Sequence, residues 1–173
     1  MGVHEAAPPA RGDVQGCWLA SPAPSVVGCV HRRARASAFL EHFDVVHQPR
    51  KYERSFVLGG DLGWDDDLDG PLRQPRVGDG GWVDAWLELR GGEAGGWTYD
   101  AVANPMLMGL HLPEERRRPD RFICKLRDFT LESIEMLGVE AIPGVTRFDQ
   151  KQEIFVPVHP SYHFGLLLTI SPK

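Results

Sequence analysis

The strongest constraint lies at the C-terminal end. Two apolar, β-rich runs, Glu153-Ile-Phe-Val-Pro-Val158 and His163-Phe-Gly-Leu-Leu-Leu-Thr-Ile170, are separated only by His159-Pro-Ser-Tyr162. Branched and aromatic side chains in continuous runs predict strands buried on both faces, and the short link predicts that the two are paired or neighbouring in one sheet. Upstream, Phe122, Ile123, Leu126, Phe129, Ile134 and Leu137 trace an apolar stripe between Asp120 and Leu137, with charges between them and Gly138 after them. That spacing predicts a helix with a glycine C-cap. The stretch from Trp97 to Leu112 reads as a further helix interrupted at Pro105, and Trp82 to Leu89 as a short helix or strand ended by Gly91-Gly92 and Gly95-Gly96.

Composition shifts near residue 85. Before it, Pro8-Pro9, Pro22, Pro24, Pro49, Gly59-Gly60, Pro71, Pro75 and the glycines from Gly78 to Gly81 leave few windows long enough for a helix. The best regular elements there are a helix over Ala34–Val46, from Phe39, Leu40, Phe43 and Val46, and a short strand at Ser55-Phe-Val-Leu. The expected fold class is α+β. Residues 86–173 form helices packed on a small C-terminal sheet, and residues 1–85 form a loop-rich N-terminal extension whose role the residues do not indicate.

With 42% hydrophobic and 25% charged residues the chain has the make-up of a soluble domain. Its formal net charge of -5 argues against a nucleic-acid partner, because an acidic chain gains nothing from phosphate counterion release. The longest apolar-leaning stretch, Ala101 to Leu112, is broken by Asn104, Pro105 and His111 and falls short of the roughly 20 residues of a membrane span. The N-terminal residues lack a basic segment followed by an apolar one, so nucleus or cytoplasm is the expected location. Cys17, Cys29 and Cys124 form no CxxC pair and suggest reduced thiols.

The C-terminal segment Lys151-Gln-Glu-Ile-Phe-Val-Pro-Val-His-Pro-Ser-Tyr-His163-Phe-Gly-Leu-Leu-Leu resembles the histidine segment of the ubiquitin-like-protein-specific, SUMO-deconjugating cysteine proteases. There a strand of similar form precedes a His-Trp that begins the next strand. Leu87, Leu89 and Gly95-Gly96-Trp97-Thr-Tyr-Asp100-Ala-Val resemble that family's upstream Trp…Asp motif, so the likeness covers about residues 87 to 173. It implies half of a papain-like cysteine protease domain. His163 would be the base that takes a thiol proton, and Trp97 and Phe164 would wall a slot for the diglycine tail of a ubiquitin-like modifier such as SUMO. Asp100 would match the acidic residue of the upstream motif. The implied activity is cysteine-type hydrolysis of peptide or isopeptide bonds, with no cofactor and no metal.

The family's Asp, Gln and nucleophilic Cys follow the histidine, however, and only ten residues follow His163, none of them of these types. The expectation is therefore a truncated module, inactive as this chain alone. The alternative is a non-catalytic binding or scaffold protein derived from such a protease.

Other patterns carry less. Gln15-Gly-Cys17-Trp18 is similar to the cysteine segment of papain-like proteases, but Pro22 and Pro24 interrupt the helix it would need. Cys124 reads as a small core residue. Asp65-Asp-Asp67-Leu-Asp69-Gly70 fits the first half of a calcium loop, but Arg76 stands where the bidentate Glu belongs. His42-Phe-Asp44 with His111 or His159 lacks any further cue for an iron site. The basic runs at 31–35 and 115–118 read as solvated faces.

Overall fold

In a computed structural model of the chain, which describes residues 14–20, 55–66, 81–91, 95–107 and 116–173, the segment expected as the main helix is two strands. Strand β1 (Val14–Ala20) runs parallel to β2 (Ser55–Asp61). Strand β2 is antiparallel to β6 (Asp120–Lys125), and β6 carries β3 (Val83–Asp84) on its other edge, giving a sheet of order β1-β2-β6-β3. Strand β7 (Phe129–Leu137) pairs antiparallel with β10 (Gly165–Pro172). Two small ribbons complete the set, β4 (Tyr99–Asp100) with β5 (Arg116–Arg117) and β8 (Thr146–Asp149) with β9 (Ile154–Pro157). Helix α1 spans Ala85–Arg90, and a 3-10 turn spans Pro105–Leu107.

The α+β expectation of helices packed on a small sheet is thus corrected, over the described residues, to a mostly β structure with the short helix α1. The reason is visible in β7. Phe129 and Leu131 face inward, and then Ser133 pairs with Thr169 while Leu131 pairs with Ile170, so Glu132 is an extra residue in the ladder. This bulge shifts the phase, and Ile134 and Met136 become the inward residues. The step of three from Leu131 to Ile134 imitates helical spacing although the chain is extended. In β6 both faces are buried: Cys124 packs with one core and Ile123 lies on the other side, so no alternation marks it as a strand. Gly138, at φ 70°, follows a strand and is no helix cap.

The core joins one face of the large sheet (Val57, Phe122, Cys124) to α1 (Ala85, Trp86, Leu89) and to the inner face of β7 and β10 (Leu131, Ile134, Leu166, Leu168). Helix α1 starts at Asp84, whose carboxylate accepts the N–H groups of Trp86 and Leu87 at 2.9 and 3.3 Å, and ends at Gly91, whose φ of 68° is left-handed. The second carboxylate oxygen of Asp84 pairs with Arg118 at 3.1 Å and Arg121 at 3.0 Å, and these arginines also meet Asp66. Gly96, also left-handed, lies so close to Trp86 that a Cβ there would collide with the indole.

The two C-terminal runs are strands, as expected, but neither is buried on both faces and they do not share a sheet: β9 pairs with β8 and β10 with β7. The Trp97 helix is also absent. Tyr99 and Asp100 form β4, and the chain then turns through residues 101–103 into the 3-10 turn. The expected strand at Ser55 is β2, and Trp82–Leu89 contains both β3 and α1. Cys17 lies on β1 and starts no helix. The Ala34–Val46 helix, Cys29, His42, Asp44, His111 and the acidic loop from residue 67 onward lie outside the described residues.

Candidate active site

Three ionisable groups meet where β2 ends and β6 begins. Asp61 is the last residue of β2 and Asp120 the first of β6, and the two are direct partners across the ladder. His163 arrives on the segment just before β10, with Nδ1 2.8 Å from Asp120 Oδ2. One ligand atom from each of the three lies within 4.8 Å of the others. Because a carboxylate only accepts, Nδ1 carries the proton and donates it to Asp120, which leaves Nε2 as the basic nitrogen of the neutral ring. Asp61 Oδ1 accepts the Gly63 N–H at 2.7 Å, which fixes that carboxylate in a turn at the end of β2.

The surroundings set the proton affinity of His163. The hydrogen bond to Asp120 raises its pKa above the ordinary 6.5, partial burial opposes this, the charges of Asp120 and Asp61 add to the rise, and Arg117 counters it. Tyr99 meets the imidazole edge-on at 5.5 Å, and the Arg117 guanidinium lies 5.0 Å from the centre of the Tyr99 ring. The side chains of His163 and Asp120 are 33% and 24% exposed, so the pair is anchored in the protein yet open to solvent.

Of the described residues singled out from the sequence, only His163 enters this cluster. Phe164 is 2% exposed and packs on His159 with ring centres 5.8 Å apart, so it lines no open slot. Trp97 is half-buried, and among the described residues no ring contact joins it to Phe164. Asp100 is buried in a turn: its Oδ1 accepts the N–H groups of Val102 and Ala103, both at 2.9 Å, and its Oδ2 lies 3.4 Å from Arg116. Cys124 is buried in the core, where desolvation and then the charge of Asp84 push its thiol up to about 12, so it supplies no thiolate. Sequence reasoning missed Asp61 and Asp120. Asp61 closes the apolar run Ser55-Phe-Val-Leu-Gly-Gly, and an acidic residue at the end of a buried strand was the available signal.

No family model and no curated protein matches the chain. Solved structures do. Truncated Caenorhabditis elegans TDP2 superposes with a TM-score of 0.61 at 17% identity, over 92% of this chain and 54% of that one. D. rerio TDP2 complexed with single strand DNA product gives 0.58 at 18% identity, over 86% and 52%. An endonuclease/exonuclease/phosphatase family protein from Bacteroides thetaiotaomicron gives 0.55 at 14% identity, over 91% and 47%.

These neighbours overturn the likeness to SUMO-deconjugating cysteine proteases, together with the thiol-protease activity and the ubiquitin-like partner it implied. The Val-Pro-Val-His…His pattern arises from strand composition and a histidine placed just before a strand, which unrelated folds share. Net charge was also too coarse a ground for excluding nucleic acid, since it sums the whole chain while binding depends on local groups, and one neighbour holds single-stranded DNA. The chain spans about half the length of the structures it matches, and over that span it has the fold of TDP2 and of endonuclease/exonuclease/phosphatase proteins.

Proposed function

We propose that Asp61, Asp120 and His163 belong to a site that hydrolyses phosphoesters. The observation that carries the reading is the convergence of a histidine–carboxylate pair with a second carboxylate at the open end of a buried sheet. The neighbours support it, because their names attach this fold to a DNA product, to nucleases and phosphatases, and to a mannosyl-6-phosphatase.

Asp120 holds the imidazole with Nδ1 protonated, so Nε2 takes a proton from water as the water oxygen bonds to phosphorus and the bond to the leaving oxygen breaks. Asp120 also stabilises the imidazolium that results. The donor set fits a hard divalent cation, since two carboxylates stand beside one imidazole. Nδ1 is committed to Asp120, however, so Asp61 is the residue that would hold such an ion. When bound, the cation supplies charge neutralisation at the phosphoryl oxygens. Arg117, near the histidine, adds positive charge on the same side.

The test is turnover of bis(4-nitrophenyl) phosphate and 4-nitrophenyl phosphate by residues 1–173 with Mg²⁺ or Mn²⁺. Hydrolysis of either is expected, with preference between them distinguishing diester from monoester chemistry. Loss of the base in His163→Ala costs about 10²- to 10⁴-fold. Absence of turnover of both compounds, or a His163→Ala rate equal to the parent, refutes the proposal.

A further inference from the structure

Thr98 touches both halves of the histidine–carboxylate pair through the main chain. Its side chain is fully buried. Its Oγ1 accepts the N–H of Asp120 at 3.2 Å, and its carbonyl accepts the N–H of Phe164, the residue after His163, at 2.7 Å. These bonds join segments 22 residues apart in one case and more than 60 in the other. The same stretch holds the histidine from its other side: Asn104, also fully buried, donates from Nδ2 to the carbonyls of Ser161 at 2.9 Å and Tyr162 at 3.1 Å. Its Oδ1 accepts the Met106 N–H at 3.0 Å, so the amide has no slack in which to rotate. His163 is therefore clamped on both flanks by residues 98–104, and Thr98 alone also anchors its partner.

We infer that Thr98 is a positioning residue for the proposed reaction, setting the separation of His163 and Asp120 through one hydroxyl and one carbonyl. This deepens the phosphoester reading and rests on it for its catalytic meaning, while the hydrogen-bond geometry it predicts is measurable without turnover. A hydroxyl is needed because the Asp120 N–H begins β6 and points to Thr98 in place of a strand partner. Valine has nearly the same shape but no acceptor, so it leaves that amide unsatisfied at a partly buried position. Serine keeps the acceptor. Since productive proton transfer depends on distances of about 3 Å, a small displacement of Asp120 reorients the imidazole and reduces turnover more than substrate binding.

The experiment compares residues 1–173 with Thr98→Val and Thr98→Ser. The first readout is the downfield Nδ1 proton of His163 by NMR at low temperature, assigned by its loss in His163→Gln. It is expected in the parent and in Thr98→Ser, and absent or shifted upfield in Thr98→Val. The second is kinetic: kcat falls about tenfold in Thr98→Val with KM within about twofold, and Thr98→Ser restores it. A folded Thr98→Val that keeps the parent Nδ1 resonance overturns the inference, as does a Thr98→Ser that loses it. Should valine prevent folding, amide exchange in the parent decides, because slow exchange of both Asp120 and Phe164 is required and fast exchange of either contradicts the clamp. Loss of phosphoester turnover in the parent with the resonance pattern intact refutes the function while leaving the clamp standing.

Discussion

Two isoleucines measure how differently the chain uses its strands. Ile123 in β6 is 1% exposed, and Ile154 in β9 is 46% exposed. Both sit in antiparallel ladders, yet β6 is one of the two inner strands of the large sheet, while β9 has one partner and turns Phe155 outward against Phe148 at 5.2 Å. The contrast explains where the candidate site lies. Asp61 and Asp120 lie at the end of the paired strands β2 and β6, the latter buried on both faces, so their separation is set by the ladder. The β8–β9 ribbon, in contrast, is tied to the rest by a few bonds, among them Arg147 Nη2 to the Met106 carbonyl at 2.9 Å.

The largest effect that sharpens this comparison is expected at Asp84. Its removal leaves Arg118 and Arg121 buried with only the more exposed Asp66 as counter-charge and takes the cap from α1, so Asp84→Ala is expected to cost about 3–5 kcal/mol in chemical denaturation. Ile123→Ala comes next, at about 2–5 kcal/mol, because the cavity it leaves is enclosed. Ile154→Ala is expected to fall within about 0.5 kcal/mol. Equal costs at the two isoleucines would break the distinction between sheet and ribbon.

A smaller effect is the pH dependence of stability. The folded-state pKa of His163 is raised, so its contribution is fully present below the unfolded value of 6.5 and is lost as pH rises through the folded pKa. Removing the partner in Asp120→Asn is expected to flatten that part of the stability profile. An unchanged slope between the parent and Asp120→Asn, measured without divalent cation, would show that the pair does not form in solution.

The sequence made His163 conspicuous because it stands before a long apolar strand, and the resemblance then supplied it with the wrong chemistry. The strands themselves were legible where composition is extreme, at Ser55–Leu58, Ile154–Val158 and Phe164–Ile170. Pairing was not, since two consecutive runs joined by a short link look like a hairpin, and nothing local shows that β10 reaches back to β7. The bulge at Glu132 concealed another strand by making its apolar residues fall three apart. Asp61 and Asp120 lie 59 positions apart in the chain and become neighbours only through the β2–β6 register, so their partnership is a property of the sheet. Nothing in the Trp97…Asp100 stretch marks Thr98, because its partners are main-chain groups far away in sequence.

The most direct measurement sets the pH–rate profile of phosphoester hydrolysis beside the NMR titration of His163. If His163 is the base, the rate rises with pH through the same midpoint as the ring titrates. Asp120→Asn, which removes the charge-assisted hydrogen bond that contributes most to raising that midpoint, then moves both curves to lower pH together. A rate profile that stays in place while the His163 titration moves would contradict the account.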